Sequence, residues 1–147
     1  MQITNSLTLY PASSAGLSTY NRYTWATTSY SGNYVHFKTN QQLSTYIMTR
    51  VEAVGINYAA GSPIRCAWTW YTYSYLVSHS SATLYSGLTA DGQYMSTDGY
   101  VVFRGYNASS IGDTSLTLNI ICANPTGYGA NVQITAVNQN SNTGNYY

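Results

Sequence analysis

Apolar and polar residues alternate with a period of two along most of the chain, and no stretch long enough for a helix carries the helical period. Ile3, Asn5, Leu7 and Leu9 outline a first short strand, closed by Pro11 and the small residues at 12–16. Residues 19–27 (TYNRYTWAT) and 33–38 (NYVHFK) read as the next two, with Ser29-Tyr30-Ser31-Gly32 between them. Residues 46–58 form a long strand whose alternation slips between Val51 and Val54, which predicts a bulge or bend. Ala60-Gly61-Ser62-Pro63 ends it. Residues 64–77 (IRCAWTWYTYSYLV) combine β-branched and aromatic side chains and read as one strand. Its two faces divide into Ile64, Cys66, Trp68, Trp70 and Leu76 against Arg65, Thr69, Tyr71, Tyr73 and Tyr75.

Further strands follow at 82–85, 100–106, 115–123 and 131–137, and Asp91-Gly92 and Asp98-Gly99 have the composition of tight turns. The pattern predicts an all-β fold: a two-sheet antiparallel sandwich, jelly-roll-like, of about eight or nine strands. It is read as a single domain over residues 1–147, with a polar tail from about residue 138. No internal repeat and no linker interrupts it.

Composition changes the picture by what it removes. Hydrophobic residues make up 44% of the 147, but charged residues only 6%, against about 25% in an ordinary soluble domain. No apolar run approaches the roughly 18–20 residues of a membrane-spanning helix. With 15% aromatics the chain is unlike a disordered one. A net charge of +1 with scattered Lys and Arg offers nucleic acid no basic patch. What remains is a surface of Ser, Thr, Asn, Gln, Gly and 17 Tyr, the chemistry of wet contact surfaces, in which rigid rings supply area and small polar groups adaptable hydrogen bonds. Residues 1–7 contain neither a basic segment nor an apolar run, so no signal peptide is read there.

Few groups are available for chemistry. Asp91, Asp98 and Asp113 lie beside glycines in turn-like segments, where Asp commonly bonds its own backbone, and Glu52 is the one acid placed on a strand, beside Arg50. His36 alternates out of its strand and His79 sits in the serine-rich stretch 78–81, read as a loop. There is no GxSxG elbow, no zinc-ligand spacing and no DxDxDG calcium loop. The chain therefore reads as a non-enzyme without cofactor or metal; a calcium ion held by loop carbonyls would leave no mark in the sequence. Cys66 and Cys122 lie in apolar strands and read either as two buried free thiols or as one inter-strand disulfide. Asn107-Ala108-Ser109 matches a glycosylation acceptor. The aromatic residues offer the candidate interface or ligand-binding surfaces. Tyr71, Tyr73 and Tyr75 would form a ledge on one strand, open to sugar rings or to a partner, unless cross-strand packing consumes it. Trp25 and Tyr23, with tyrosines nearby, would form a second surface, whereas Trp68 and Trp70 belong with the core.

The whole-chain pattern, charge-poor, rich in Tyr, Ser, Thr and Asn, β-only and without a leader, resembles the small β-sandwich virion proteins of tailed bacteriophages. Those include jelly-roll decoration (cement) proteins of capsids and the receptor-binding tips of tail fibres. The resemblance spans all 147 residues as a style and rests on no diagnostic motif, so it transfers no site residue. It implies a homotrimer acting by contact alone, with capsid or other virion proteins as partners, on a virion surface that is extracellular after host lysis. The first strand begins almost at Met1, leaving no room for a fibre shaft, which favours a capsid-exterior protein or a separately encoded accessory tip. The competing expectation is a carbohydrate-binding domain, a fibre tip or lectin, whose tyrosine face takes host-surface glycans.

Overall fold

Alternating side chains leave this chain one way to bury its apolar half, which is to set one sheet face against another. The computed structural model describes residues 5–9, 17–28, 32–42, 46–73, 75–124 and 132–140. Its strands are β1 (Asn5–Leu9), β2 (Leu17–Ala26), β3 (Tyr34–Gln42), β4 (Met48–Asn57), β5 (Ser62–Tyr73), β6 (Tyr75–Ser86), β7 (Thr89–Met95), β8 (Tyr100–Tyr106), β9 (Thr114–Asn124) and β10 (Ile134–Asn140). They form a six-stranded sheet, β1-β2-β9-β4-β5-β6, and a four-stranded sheet, β10-β3-β8-β7. All described pairings are antiparallel. β2 pairs with β9 in one sheet and β3 with β8 in the other, while β4, β5 and β6 stay in one sheet as a meander.

Aromatic rings weld the sheets. Phe37 and Phe103 of the four-stranded sheet stack at 5.0 Å between centroids. From the six-stranded sheet Trp68 packs on Phe103 at 4.9 Å, Trp70 on the same ring at 5.8 Å, and Trp25 edge-on to Phe37 at 5.8 Å. Trp68 and Trp70 are fully buried, and burying one such ring stabilises the fold by about 1.5–3 kcal/mol. Their indole N–H groups are not stranded: Trp68 donates to the Arg104 carbonyl at 2.9 Å and Trp70 to the Gln41 side-chain oxygen at 2.8 Å.

Several sequence expectations are corrected. The segment 64–77 is not one strand but parts of two, β5 and β6, which pair antiparallel with Tyr73 and Tyr75 as register partners. Asp91-Gly92 is not a turn; it lies inside β7, where the register shifts between Ala90 and Gln93 and Gly92 takes φ 98°. Asp98-Gly99 is a turn as expected, with Gly99 at φ 86°. β4 carries no bulge, for its register with both β5 and β9 is unbroken from Met48 to Asn57. The apparent slip in its pattern arises because Val51 and Ala53 point into the core while Val54 and Ile56 point outward. His79 belongs to β6 and not to a loop, its side chain lying outside the described ones. Residues 138–140, assigned above to a polar tail, belong to β10 and pair with β3; the rest of that tail, with Tyr146 and Tyr147, lies outside the described residues.

Candidate functional site

The outer faces of the two sheets differ in kind. Outward on the six-stranded sheet stand Met48, Val54, Ile56 and Ile121, with Tyr73, Leu84 and Tyr85 on β5 and β6, and Tyr46 and Tyr58 flanking β4. These are all the exposed large hydrophobic residues among the described ones, and their gathering on one sheet makes its outer face the candidate site. In their midst Arg50 Nε meets Glu52 Oε1 at 2.7 Å, with the two side chains 51% and 41% exposed. Beside this pair Ala67 and Ala82, too short to fill the face, floor a depression of about 330 Å³ rimmed by Val54, Arg65 and Leu84.

The four-stranded sheet is closed over. Lys38 Nζ bonds Asp98 Oδ2 at 2.6 Å and lies over the Tyr100 ring at 5.4 Å. The Lys38 and Ser96 hydrogen bonds hold the Asp98 carboxyl below its ordinary pKa. Arg104 Nε bonds Asp91 Oδ2 at 2.7 Å, and its guanidinium lies over Tyr34, which packs on Tyr106 at 4.7 Å. Under this cover His36, on the outward side of β3 as expected, is completely buried, with Nδ1 at 2.8 Å from the Tyr94 hydroxyl. Charge here meets charge or ring, and no large hydrophobic residue is exposed on the described part of this sheet.

The predicted site residues are scattered across this arrangement. Tyr71 and Tyr73 share the outer face of β5, half-buried and 46% exposed respectively, but Tyr75 stands on β6 and its ring lies outside the described side chains. The three-ring ledge on a single strand is therefore corrected. The ring that joins Tyr73 is Tyr46, 4.7 Å away and edge-on. The nearby Tyr73, through its charge and its hydrogen bond, raises the Tyr46 hydroxyl above its ordinary pKa. Sequence spacing could not show that neighbour, since a whole strand pair separates the two. Trp25 and Tyr23 form no outer surface: Tyr23 is buried in the core and Trp25 packs against it, because both alternate inward on β2.

The cysteines are buried and not bonded to each other, so the disulfide alternative falls. Cys66 lies opposite Ala53 and Cys122 opposite Thr49, on strands either side of β4. That offset amounts to about 10 Å across the sheet and about 13 Å along it, far beyond the roughly 7 Å a disulfide tolerates. Burial pushes the Cys66 thiol up to about 12. The Asn107 amide is no glycosylation acceptor in this fold, since it is buried and donates to the Ser86 and Gly87 carbonyls at 3.1 and 3.0 Å. No group of three or more His, Cys, Asp or Glu able to hold a metal occurs among the described residues. What sequence reading missed is the apolar outer face of β4, whose signal was the change of parity between Val51 and Val54. Comparison of the chain with protein-family models, with curated proteins and with solved structures found no match.

Proposed function

We propose that this protein is a non-enzymatic structural component of a bacteriophage particle's exterior, a capsid decoration or cement protein that works by laying the outer face of its six-stranded sheet against other protein. The observation that carries this reading is the asymmetry of the two faces, with the exposed apolar side chains on one and self-satisfied charges on the other. Burying such a face yields about 25 cal/mol per Å² of apolar area, a contribution repeated at every position of a lattice. The virion half of the proposal draws on the resemblance in composition and strand pattern.

Mass spectrometry of purified particles of the virus that carries the gene, followed by rebinding of recombinant protein to stripped particles, tests it. The parent protein co-sediments with the particles. Val54→Asp, which sets an unpaired carboxylate in the apolar face, weakens co-sedimentation by at least about tenfold, while Tyr100→Phe on the opposite sheet leaves it unchanged. Particles that lack the protein, or a gene outside any viral genome, would overturn the reading.

A second reading has one observation in its favour: the exposed, mutually packed rings of Tyr46 and Tyr73, 42% and 46% open to solvent, offer planes on which a pyranose can stack. A glycan array reads it directly. Carbohydrate binding that vanishes in Tyr73→Ala supports a receptor-recognition domain, and a blank array with particle attachment intact removes it.

A further inference from the structure

The outward side chains of β4 and its leading residues have an order that calls for a particular partner. Along the strand they run Tyr46, Met48, Arg50, Glu52, Val54, Ile56, or apolar, apolar, cation, anion, apolar, apolar. Reversed about Val51, the list matches itself in type, with cation and anion exchanged. We infer that the occupant of this face is a second copy of this chain, related by a twofold axis that lies in the interface and crosses β4 at Val51. The inference rests on the reading that this face is a contact surface, and it adds what covers it.

Sheets stack about 10 Å apart with strands nearly aligned. Under the stated axis Arg50 of each copy stands over Glu52 of the other, Met48 over Val54, and Tyr46 over Ile56. The flanking strands agree. Arg65 shares a row with Val54 and Tyr71 a row with Met48, so the axis brings the exposed Arg65 over the partner's Tyr71 ring. Arg22 and Asn119 share the Glu52 row, Tyr20 and Ile121 the Arg50 row, so Arg22 falls over the partner's Tyr20. No cation of this face then meets a cation. Turning the axis parallel to β4 would stack Arg50 on Arg50 and Glu52 on Glu52, which electrostatics rejects. The area suffices: β9, β4, β5 and β6, at about 4.8 Å spacing and about 33 Å length, span roughly 600 Å² of plane, and their side chains roughen it toward the ~800 Å² per partner of a stable interface. An isologous contact of this kind is twofold, and it replaces for this face the threefold arrangement that the resemblance implies.

Sedimentation equilibrium on the purified chain tests the inference. The parent is a dimer in equilibrium with monomer. Arg50→Glu and Glu52→Arg each raise the dimer dissociation constant by about tenfold or more, and Arg50→Gln by less. The double exchange Arg50→Glu/Glu52→Arg restores the parent value, because a twofold axis swaps both sides of the contact at once; contact with any other surface would not be restored. Mixing the two single reversals drives heterodimers. Both side chains are about half exposed, so far-UV circular dichroism matches the parent, as do thermal midpoints taken at dilutions where parent and variants are all monomeric. A monomer at all concentrations, a trimer, or a double exchange as weak as the single reversals would overturn the inference. A dimer that ignores viral particles refutes the proposed function and leaves the twofold contact standing. A monomer that still coats particles does the reverse.

Discussion

At the scale of single residues, polar groups enclosed in an apolar interior carry much of the specificity. Gln41, buried at the end of β3, gathers one end of the sandwich: its amide N–H donates to Thr72 Oγ1 at 2.9 Å, and its oxygen accepts from Thr49 Oγ1 at 2.9 Å and Trp70 Nε1 at 2.8 Å. Three strands thereby meet on one side chain. Gln41→Leu keeps the volume and removes the partners, stranding buried donors. It should destabilise the fold by about 2–4 kcal/mol, lowering the unfolding midpoint by roughly 5–15 °C in a chain of this size. Chemical and thermal denaturation check this. Nothing in the sequence distinguishes Gln41 from Gln42, because which one turns inward depends on the strand's parity at its frayed end. Trp68 and Trp70 were readable as core because they share their parity with Ile64 and Cys66. His36 was readable as outward and not as buried, since its cover of Tyr94 and Arg104 comes from β7 and β8.

At the scale of elements, the period-two pattern found nearly every strand and misjudged where strands fold back. Tyr73-Ser74-Tyr75 contains neither Gly nor Asn to announce a hairpin, so β5 and β6 looked continuous. The Asp91-Gly92 pair announces a turn but builds a bulge, and the bulge sets Asp91 where Arg104 of the neighbouring strand can take it. A second ion pair of the four-stranded sheet ties β3 to the β7–β8 turn through Lys38 and Asp98. The folded state holds the Asp98 pKa below its unfolded value, so its contribution is present above the ordinary carboxylate range and is lost as pH falls through the lowered value. Acid titration followed by NMR of the Asp98 carboxyl should show that depressed midpoint, and Lys38→Met should return it toward the ordinary value. The loss on acidification is small because the carboxylate is exposed and solvent screens it.

For the whole molecule, what matters is that one sheet closes its outer surface with its own side chains and the other does not. Composition gave the expectation of a contact surface but no side for it, because the placing of the exposed apolar residues depends on strand order: β9, β4 and β5 lie together, and only then do Ile121, Met48 and Val54 share one face. Methionine chemistry can report on that surface from within. Met48 is 48% exposed, on the open face, whereas Met95 is packed against the core on β7 of the closed sheet. Peroxide converts a reachable thioether to the sulfoxide, and reach sets the rate. In dilute protein Met48 should therefore oxidise faster than Met95, as peptide mass spectrometry reads. Once the face is covered, at high protein concentration or on a particle, Met48 oxidation should slow several-fold while Met95 keeps its rate. The reverse experiment carries the same argument: a sulfoxide at Met48 places a polar oxygen in the centre of the contact, so protein oxidised before assembly should assemble more weakly than protein oxidised after it. Equal protection of both methionines would mean that association buries some other part of the molecule, and unchanged Met48 oxidation on assembly would leave the open face without the role given to it here.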